Sequence, residues 1–253
     1  MKIIKKIAIK APGGTKKIIN FGQLETKEEL DEMFRFRYEV YNRKNFINPN
    51  SSKRDYDFFD KSGRCYYFIA KIDNKIIGST RLIVGRPLPS EKEYFEMDLP
   101  EEIKSLPKNQ VVEVGRLSAS LAGCSIKIPR HLVLLGLFYS MVEFAEKNNF
   151  KACLGGMKEY VKDKLDSINF PLQEIKKYKL IYNPKKHGDP LDEFFNYQPE
   201  YGEVKAVYCF LDEAKRYFDS IFKNGICFSK TDEILHLRNV SLFNLRLFLK
   251  RFV

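Results

Sequence analysis

Glu113 and Arg116 interrupt the segment Val111-Val-Glu-Val-Gly-Arg-Leu-Ser-Ala-Ser120, which otherwise reads as a buried β-strand. A buried charge costs several kcal/mol unless it is paired or used, so this acid and base must serve something beyond packing. A carboxylate in such a place can take a proton from a reacting group, and a guanidinium can hold an oxyanion through two parallel hydrogen bonds. Strict alternation would send the two side chains to opposite faces of the strand. Gly115 between them suggests a bulge, which re-aims the side chains onto one side and frees backbone N–H groups that can hold a developing negative charge.

The elements that must position this pair can be read along the chain. Residues 3–9 and 17–21 have the composition of short strands around the turn Pro12-Gly13-Gly14. Thr26 caps a helix with Glu28 and Glu29 in its first turn and an apolar stripe of Leu30, Met33, Phe34, Val40 and Tyr41. Arg37 falls inside that stripe, either as a snorkelling side chain or as an arginine pointed into a cleft. A polar loop over 42–64 follows. Tyr66 to Lys71 and Lys75 to Val84 form a hairpin around Asp73-Asn74, with Arg81 the one charge inside the second strand. Residues 85–109, with four prolines, are a connecting excursion, and the Glu113 strand comes next.

Beyond it, the pattern predicts a helix over about 130–148, a strand over Lys151 to Leu154, and a helix over Met157 to Ser167. Strands over Leu172 to Tyr182 and Val204 to Leu211 complete the series. This order implies an α/β (α+β) domain over residues 1–211, with a mixed, mostly antiparallel sheet and helices on both faces. Residues 212–253 read as a C-terminal helical extension. Within it Leu242, Leu245, Phe248, Leu249 and Phe252 make an apolar stripe flanked by basic residues, which can dock on the domain or lie on an anionic membrane.

Composition narrows the function classes. Lys and Arg number 44 against 33 acidic residues, a formal charge of +11 that suits an acidic partner. The basic residues are spread along the chain, so nucleic acid is not expected. Five cysteines (65, 124, 153, 209 and 227) without a C-x-x-C pair read as free thiols in a reducing compartment, and His131, His187 and His236 share no ligand spacing, so no metal is expected. The basic N-terminus is too broken for a signal peptide and no stretch reaches the roughly 20 apolar residues of a membrane span, which predicts a cytoplasmic protein.

Four elements occur in one order: Arg37-Tyr-Glu-Val-Tyr41, Asp57-Phe-Phe-Asp60, Gly78-Ser-Thr-Arg-Leu82 and Glu113-Val-Gly-Arg116. The arrangement resembles the acyl-homoserine-lactone (autoinducer) synthases and the long-chain N-acyl amino acid synthases, both GNAT-superfamily acyltransferases. The likeness covers about residues 27–211 and includes Tyr201-Gly-Glu-Val-Lys-Ala-Val207 as a last core strand. It implies a polar cluster of Arg37, Asp57, Asp60, Arg81, Glu113 and Arg116 that orders the first helix and its loop over an acceptor site. Autoinducer synthases carry a tryptophan shortly after the arginine helix. This chain has no Trp, and Phe46 is the nearest counterpart, which moves weight from S-adenosylmethionine toward an amino acid or similar amine as acceptor.

The glycine-rich pyrophosphate loop of coenzyme A-dependent relatives is replaced by Gly123-Cys-Ser-Ile-Lys-Ile-Pro-Arg130. There Lys127 and Arg130 can hold a phosphopantetheine phosphate with the following helix N-terminus. The resemblance thus implies acyl carrier protein, or else acyl-CoA, as donor, and no tightly bound cofactor. The expected reaction moves a fatty acyl group to an amine. Glu113 is the base, and Arg116, Arg81 or Arg37 hold the acceptor carboxylate. The alternatives are an autoinducer synthase and a domain that binds acyl carriers without catalysis.

Overall fold

The computed structural model describes residues 1–10, 16–122, 124, 128, 130–182, 193–224, 228–231 and 234–237. Strands β1 (Lys2–Lys10) and β2 (Lys16–Gln23) open the chain, followed by α1 (Lys27–Arg43). Thr26 caps α1 as its composition predicts, the side chain accepting from the Glu29 backbone N–H. A one-turn helix α2 (Phe58–Lys61) precedes the hairpin of β3 (Cys65–Ile72) and β4 (Lys75–Val84). Asp73 and Asn74 both take positive φ (48° and 63°), the pairing that matches the twist of a two-residue hairpin turn. The excursion carries β5 (Phe95–Met97) and α3 (Glu101–Lys104), and leads to β6 (Val111–Ala119).

The second half holds α4 (Arg130–Lys147), β7 (Ala152–Lys158), α5 (Glu159–Ser167), β8 (Gln173–Glu174), β9 (Tyr178–Leu180), β10 (Val204–Phe210) and α6 (Leu211–Asn224). Strands β11 (Phe228–Thr231) and β12 (Ile234–Leu237) close the series. The main sheet runs β11-β12-β1-β2-β3-β4-β6-β7-β10-β8. Its neighbours are antiparallel except β1 with β12 and β6 with β7, so the mixed, mostly antiparallel sheet is as expected. One core packs α4 and α6 on one face, through Val133, Leu137, Met141 and Phe218. Two more pack α1 and the excursion on the other, through Tyr38, Tyr41, Leu88 and Phe95, and through Met33 and Phe34.

Three expectations need correction. The strand foreseen over Leu172 to Tyr182 is two short ones: β8 pairs β10, whereas β9 pairs β5 in a separate sheet, because Ile175 turns inward to the core between them. The strand foreseen over Lys151 to Leu154 continues to Lys158, and α5 starts only at Glu159. The C-terminal extension is not wholly helical: after α6, β11 and β12 form a hairpin, and β12 covers the otherwise open edge of β1. The apolar stripe over 239–253 lies outside the described residues. Among the described residues no helix is long and apolar enough to cross a membrane.

The β6–β7 contact bears most on function. The two strands pair in parallel over only Val111–Ala152, Val112–Cys153 and Glu113–Leu154, and the ladder then stops although both strands continue. On the face toward α4, close packing sets the layer spacing. A Cβ at Gly136 would fall 2.3 Å from the ring of Phe21, which is fully buried on β2. Gly136→Ala is therefore expected to destabilise the protein by about 1–3 kcal/mol, read as a lower urea midpoint at unchanged slope.

Candidate active site

Arg37, on the buried face of α1, has no exposed surface. It points inward rather than snorkelling: Nε donates to Asp55 Oδ2 at 2.9 Å and Nη2 to Asp60 Oδ2 at 3.3 Å. Arg81 Nη1 donates to Asp57 Oδ1 at 2.7 Å and Asp60 Oδ1 at 2.8 Å, and Arg116 Nη2 to Asp57 Oδ2 at 2.7 Å. Arg116 Nη1 stands 3.7 Å from Asp55 Oδ1. Three buried guanidiniums thus face three buried carboxylates.

The segment that brings those aspartates in is ordered locally. Asp57 caps α2 and accepts from the Asp60 backbone N–H, while the Asp60 side chain accepts from the Asp57 N–H. Burial opposes ionisation of Asp57, but Arg81 and Arg116 outweigh it and hold the carboxyl well below the usual range. Asp60 is lowered in the same way by Arg37 and Arg81. Burial opposes the charge on the arginines as well, but Asp57 and Asp60 raise Arg81, and Asp55 and Asp60 raise Arg37.

Glu113 stands apart from this cluster. Its Oε2 accepts from both the backbone N–H and the hydroxyl of Ser90, each at 2.7 Å, so its partner is the excursion and not Arg116. Burial is the main influence on its carboxyl and raises its pKa to about 7, against the pull of the two Ser90 hydrogen bonds. The expected bulge is present: Ser79 faces Ser118 and Arg81 faces Gly115, so β6 carries one extra residue there. Its left-handed residue is Arg116 (φ 55°) rather than Gly115, and Glu113 and Arg116 line the same cavity.

That cavity opens where β6 and β7 part. Its walls include Glu113 to Leu117 from β6 and Cys153 to Lys158 from β7. A Cβ at Gly155 would fall 2.9 Å from the Val114 carbonyl oxygen, so glycine is needed for the close approach at the apex. Toward α4 the lining is apolar, with Phe138, Met141, Val142 and Leu165. Toward α1 it is aromatic and cationic. Phe46 packs edge-on to Tyr201 (4.9 Å), Phe194 (5.3 Å) and Tyr41 (6.0 Å). The ammoniums of Lys44 and Lys158 lie 5.4 Å and 5.9 Å from the centre of its ring.

The structure brings together Arg37, Asp57, Asp60, Arg81 and Arg116 in the charge cluster, and Phe46, Arg81, Glu113 and Arg116 around the cavity. Lys127 lies outside the described residues, and Arg130 begins α4. Sequence reasoning missed Asp55, Ser90, Lys44 and Lys158. Charge counting gives no sign of Asp55, because the cluster implied by the resemblance already balances three arginines with Asp57, Asp60 and Glu113; only the turn of Glu113 toward Ser90 leaves room for a third aspartate. Ser90 carries no sequence signal, and Lys158 lies four residues beyond the strand that the pattern predicts over Lys151 to Leu154.

Two stability measurements test this electrostatic picture. Asp57→Ala leaves Arg81 and Arg116 short of a counter-charge and is expected to cost about 3–5 kcal/mol in denaturant unfolding near neutral pH. Glu113 holds its proton more tightly folded than unfolded. Its contribution is fully present below pH 4.5 and is lost as pH rises through about 7. Wild type should therefore lose up to roughly 3 kcal/mol between pH 5 and 8 relative to Glu113→Gln.

A search of curated proteins finds no match. Solved structures with the same fold include the acyl-homoserine-lactone synthase LasI, at 14% identity and TM-score 0.52, covering 77% of this chain and 90% of LasI. The CoA-dependent acyl-homoserine-lactone synthase BjaI, solved with SAM and isopentyl-CoA, shows 13% identity and TM-score 0.53, with 96% and 97% coverage. FeeM, an N-acyl amino acid synthase from uncultured soil microbes, shows 11% identity and TM-score 0.53, with 79% and 95% coverage. The sequence profile of the N-acyl amino acid synthase FeeM family matches residues 32–159, just over half of the chain, from the middle of α1 to the start of α5. That span contains the arginine helix, the aspartate segment, the Glu113 strand and both walls of the cavity, and the chain belongs to the FeeM family of N-acyl amino acid synthases, which makes it an acyltransferase.

Proposed function

We propose that this acyltransferase moves a fatty acyl group from a pantetheine thioester to the amine of an amino acid, giving an N-acyl amino acid. The observation that carries this reading is the position of Glu113, a buried carboxyl with a pKa near 7, beside the gap between two parting strands. The apolar half of the cavity suits an acyl chain, and the half beside Phe46 suits a polar acceptor.

In this mechanism the acceptor ammonium loses its proton to Glu113, directly or through one water, and the freed amine attacks the thioester carbonyl. A carboxyl poised near neutral pH is matched to that task, because it is ionised in a large fraction of molecules and still basic enough to accept. Collapse of the tetrahedral intermediate breaks the C–S bond, and the departing pantetheine sulfur takes the extra proton still carried by the attacking nitrogen, leaving the amide and a free thiol. Arg37, Arg81 and Arg116 act through Asp55, Asp57 and Asp60 by holding α1, the 55–60 segment and the β6 bulge around the acceptor.

An acyl carrier protein is the proposed donor. The formal charge of +11 suits an acidic carrier, and Lys127 with Arg130 at the start of α4 is the proposed phosphate contact. Acyl-CoA is the competing donor, and transfer assays with each thioester in turn tell them apart.

Glu113→Gln is expected to lower kcat/KM by about 10²–10⁴-fold at pH 7.5 with the fold intact by circular dichroism. Wild-type kcat/KM should rise with pH and level off above about 7, and wild-type turnover in the variant would remove Glu113 from the mechanism. Mass spectrometry of lipid extracts from a bacterial host expressing the protein identifies the product. An N-acyl amino acid supports this reading, whereas a lactone or an unchanged profile counts against it.

A further inference from the structure

The three arginines expected to bind an acceptor carboxylate are already matched by three aspartates, all buried. Glu113, once ionised, adds negative charge to the same cavity. A second anion entering from the substrate therefore needs a cation elsewhere in the wall.

Lys158 is such a cation. It is the last residue of β7, only 1% exposed, and it lines the cavity. Its ammonium donates to the carbonyl oxygens of Asn196 at 2.6 Å and Gly202 at 3.2 Å. An ammonium has three donors, so one remains. No carboxylate among the described residues lies within ion-pair distance of it. The ring of Phe194 lies 5.5 Å away and that of Phe46 5.9 Å, so that among the described residues the charge is balanced only partly, by ring faces and carbonyls. Burial alone accounts for its proton being held less tightly, with a pKa of about 8, so it is still mostly charged at neutral pH. On the other side of the aromatic group, Lys44 donates to the Tyr160 hydroxyl at 2.8 Å and also lines the cavity.

We infer that Lys158, assisted by Lys44 beside Phe46, binds the carboxylate of the amino-acid acceptor and so sets the preference for amino acids over simple amines. The inference rests on the amino-acid acceptor of the proposed function. It accounts for a buried ammonium that has no counter-ion among the described residues, an arrangement that favours an anion supplied by the substrate. It also leaves the arginine cluster intact during turnover, since no guanidinium has to exchange an aspartate for substrate.

The full-length protein, assayed with acyl-CoA or acyl carrier protein, can be given each free amino acid and its carboxamide in parallel. The amide's amine is less basic and so more available to attack, which means that any preference for the acid reports binding. Wild type is expected to favour the acid at least tenfold in kcat/KM. Lys158→Met should raise the acceptor KM at least tenfold for the acid, leave the donor KM within twofold, and affect the carboxamide reaction several-fold less than the acid reaction. Lys158→Arg should restore part of the loss. Equal use of acid and amide by wild type overturns the inference while the acyl-transfer reading stands, and needs no variant to fold. A Lys158→Met effect confined to the donor KM also overturns it and assigns Lys158 to the donor phosphate. Failure of wild type to acylate any acid or amide removes the acyl-transfer reading and this inference together.

Discussion

Three arginines and three aspartates, all removed from water, hold four distant stretches of chain together: α1 through Arg37, the 55–60 segment through its aspartates, β4 through Arg81 and β6 through Arg116. Each charge is costly to bury alone and tolerable only with its partners, so the segments must arrive together or not at all. The cluster also separates two chemistries. By occupying Arg116 with Asp57, it leaves Glu113 to hydrogen bonds from Ser90, and burial then dominates the carboxyl. Had Arg116 turned to Glu113 instead, a neighbouring positive charge would have favoured the ionised form and made the carboxylate a poor proton acceptor.

Much of this was legible in the residues because local rules and tertiary packing agreed. Thr26 and the two glutamates after it mark the start of α1, and Asp73-Asn74 marks the hairpin. The bulge in β6 was foreseen from Gly115, yet the left-handed residue is Arg116. A glycine signals that the strand can deform, but the ion pair to Asp57 decides where the strain is held. Partners from distant segments carried no local pattern. Ser90 is one serine in a proline-rich excursion, and only the closed fold sets its N–H and hydroxyl on Glu113. The break between β8 and β9 was hidden for a similar reason, since the core on the α1 face claims Ile175 against a uniformly strand-like composition.

The two faces of the sheet are unlike. The buried core on the α4 side is built from aliphatic side chains and phenylalanines, with tyrosines such as Tyr139 and Tyr217 only at its margin, whereas the α1 side combines buried tyrosines, Phe46 and lysines with the charge cluster. A substrate that is apolar at one end and charged at the other matches that division. On the proposed function, chain length would be read by the residues of α4 and α5 and the head-group by those around Phe46.

The early parting of β6 and β7 has a consequence for whatever delivers the acyl group. Past Glu113 and Leu154, main-chain N–H and C=O groups that would have bonded across the sheet look into a cleft instead. Such groups need hydrogen bonds from another source, and the Leu117 carbonyl oxygen takes one from the Tyr41 hydroxyl. A bare hydrocarbon chain entering there would strand them, whereas a linear arm that carries its own amides can zip along the open edge as a makeshift strand.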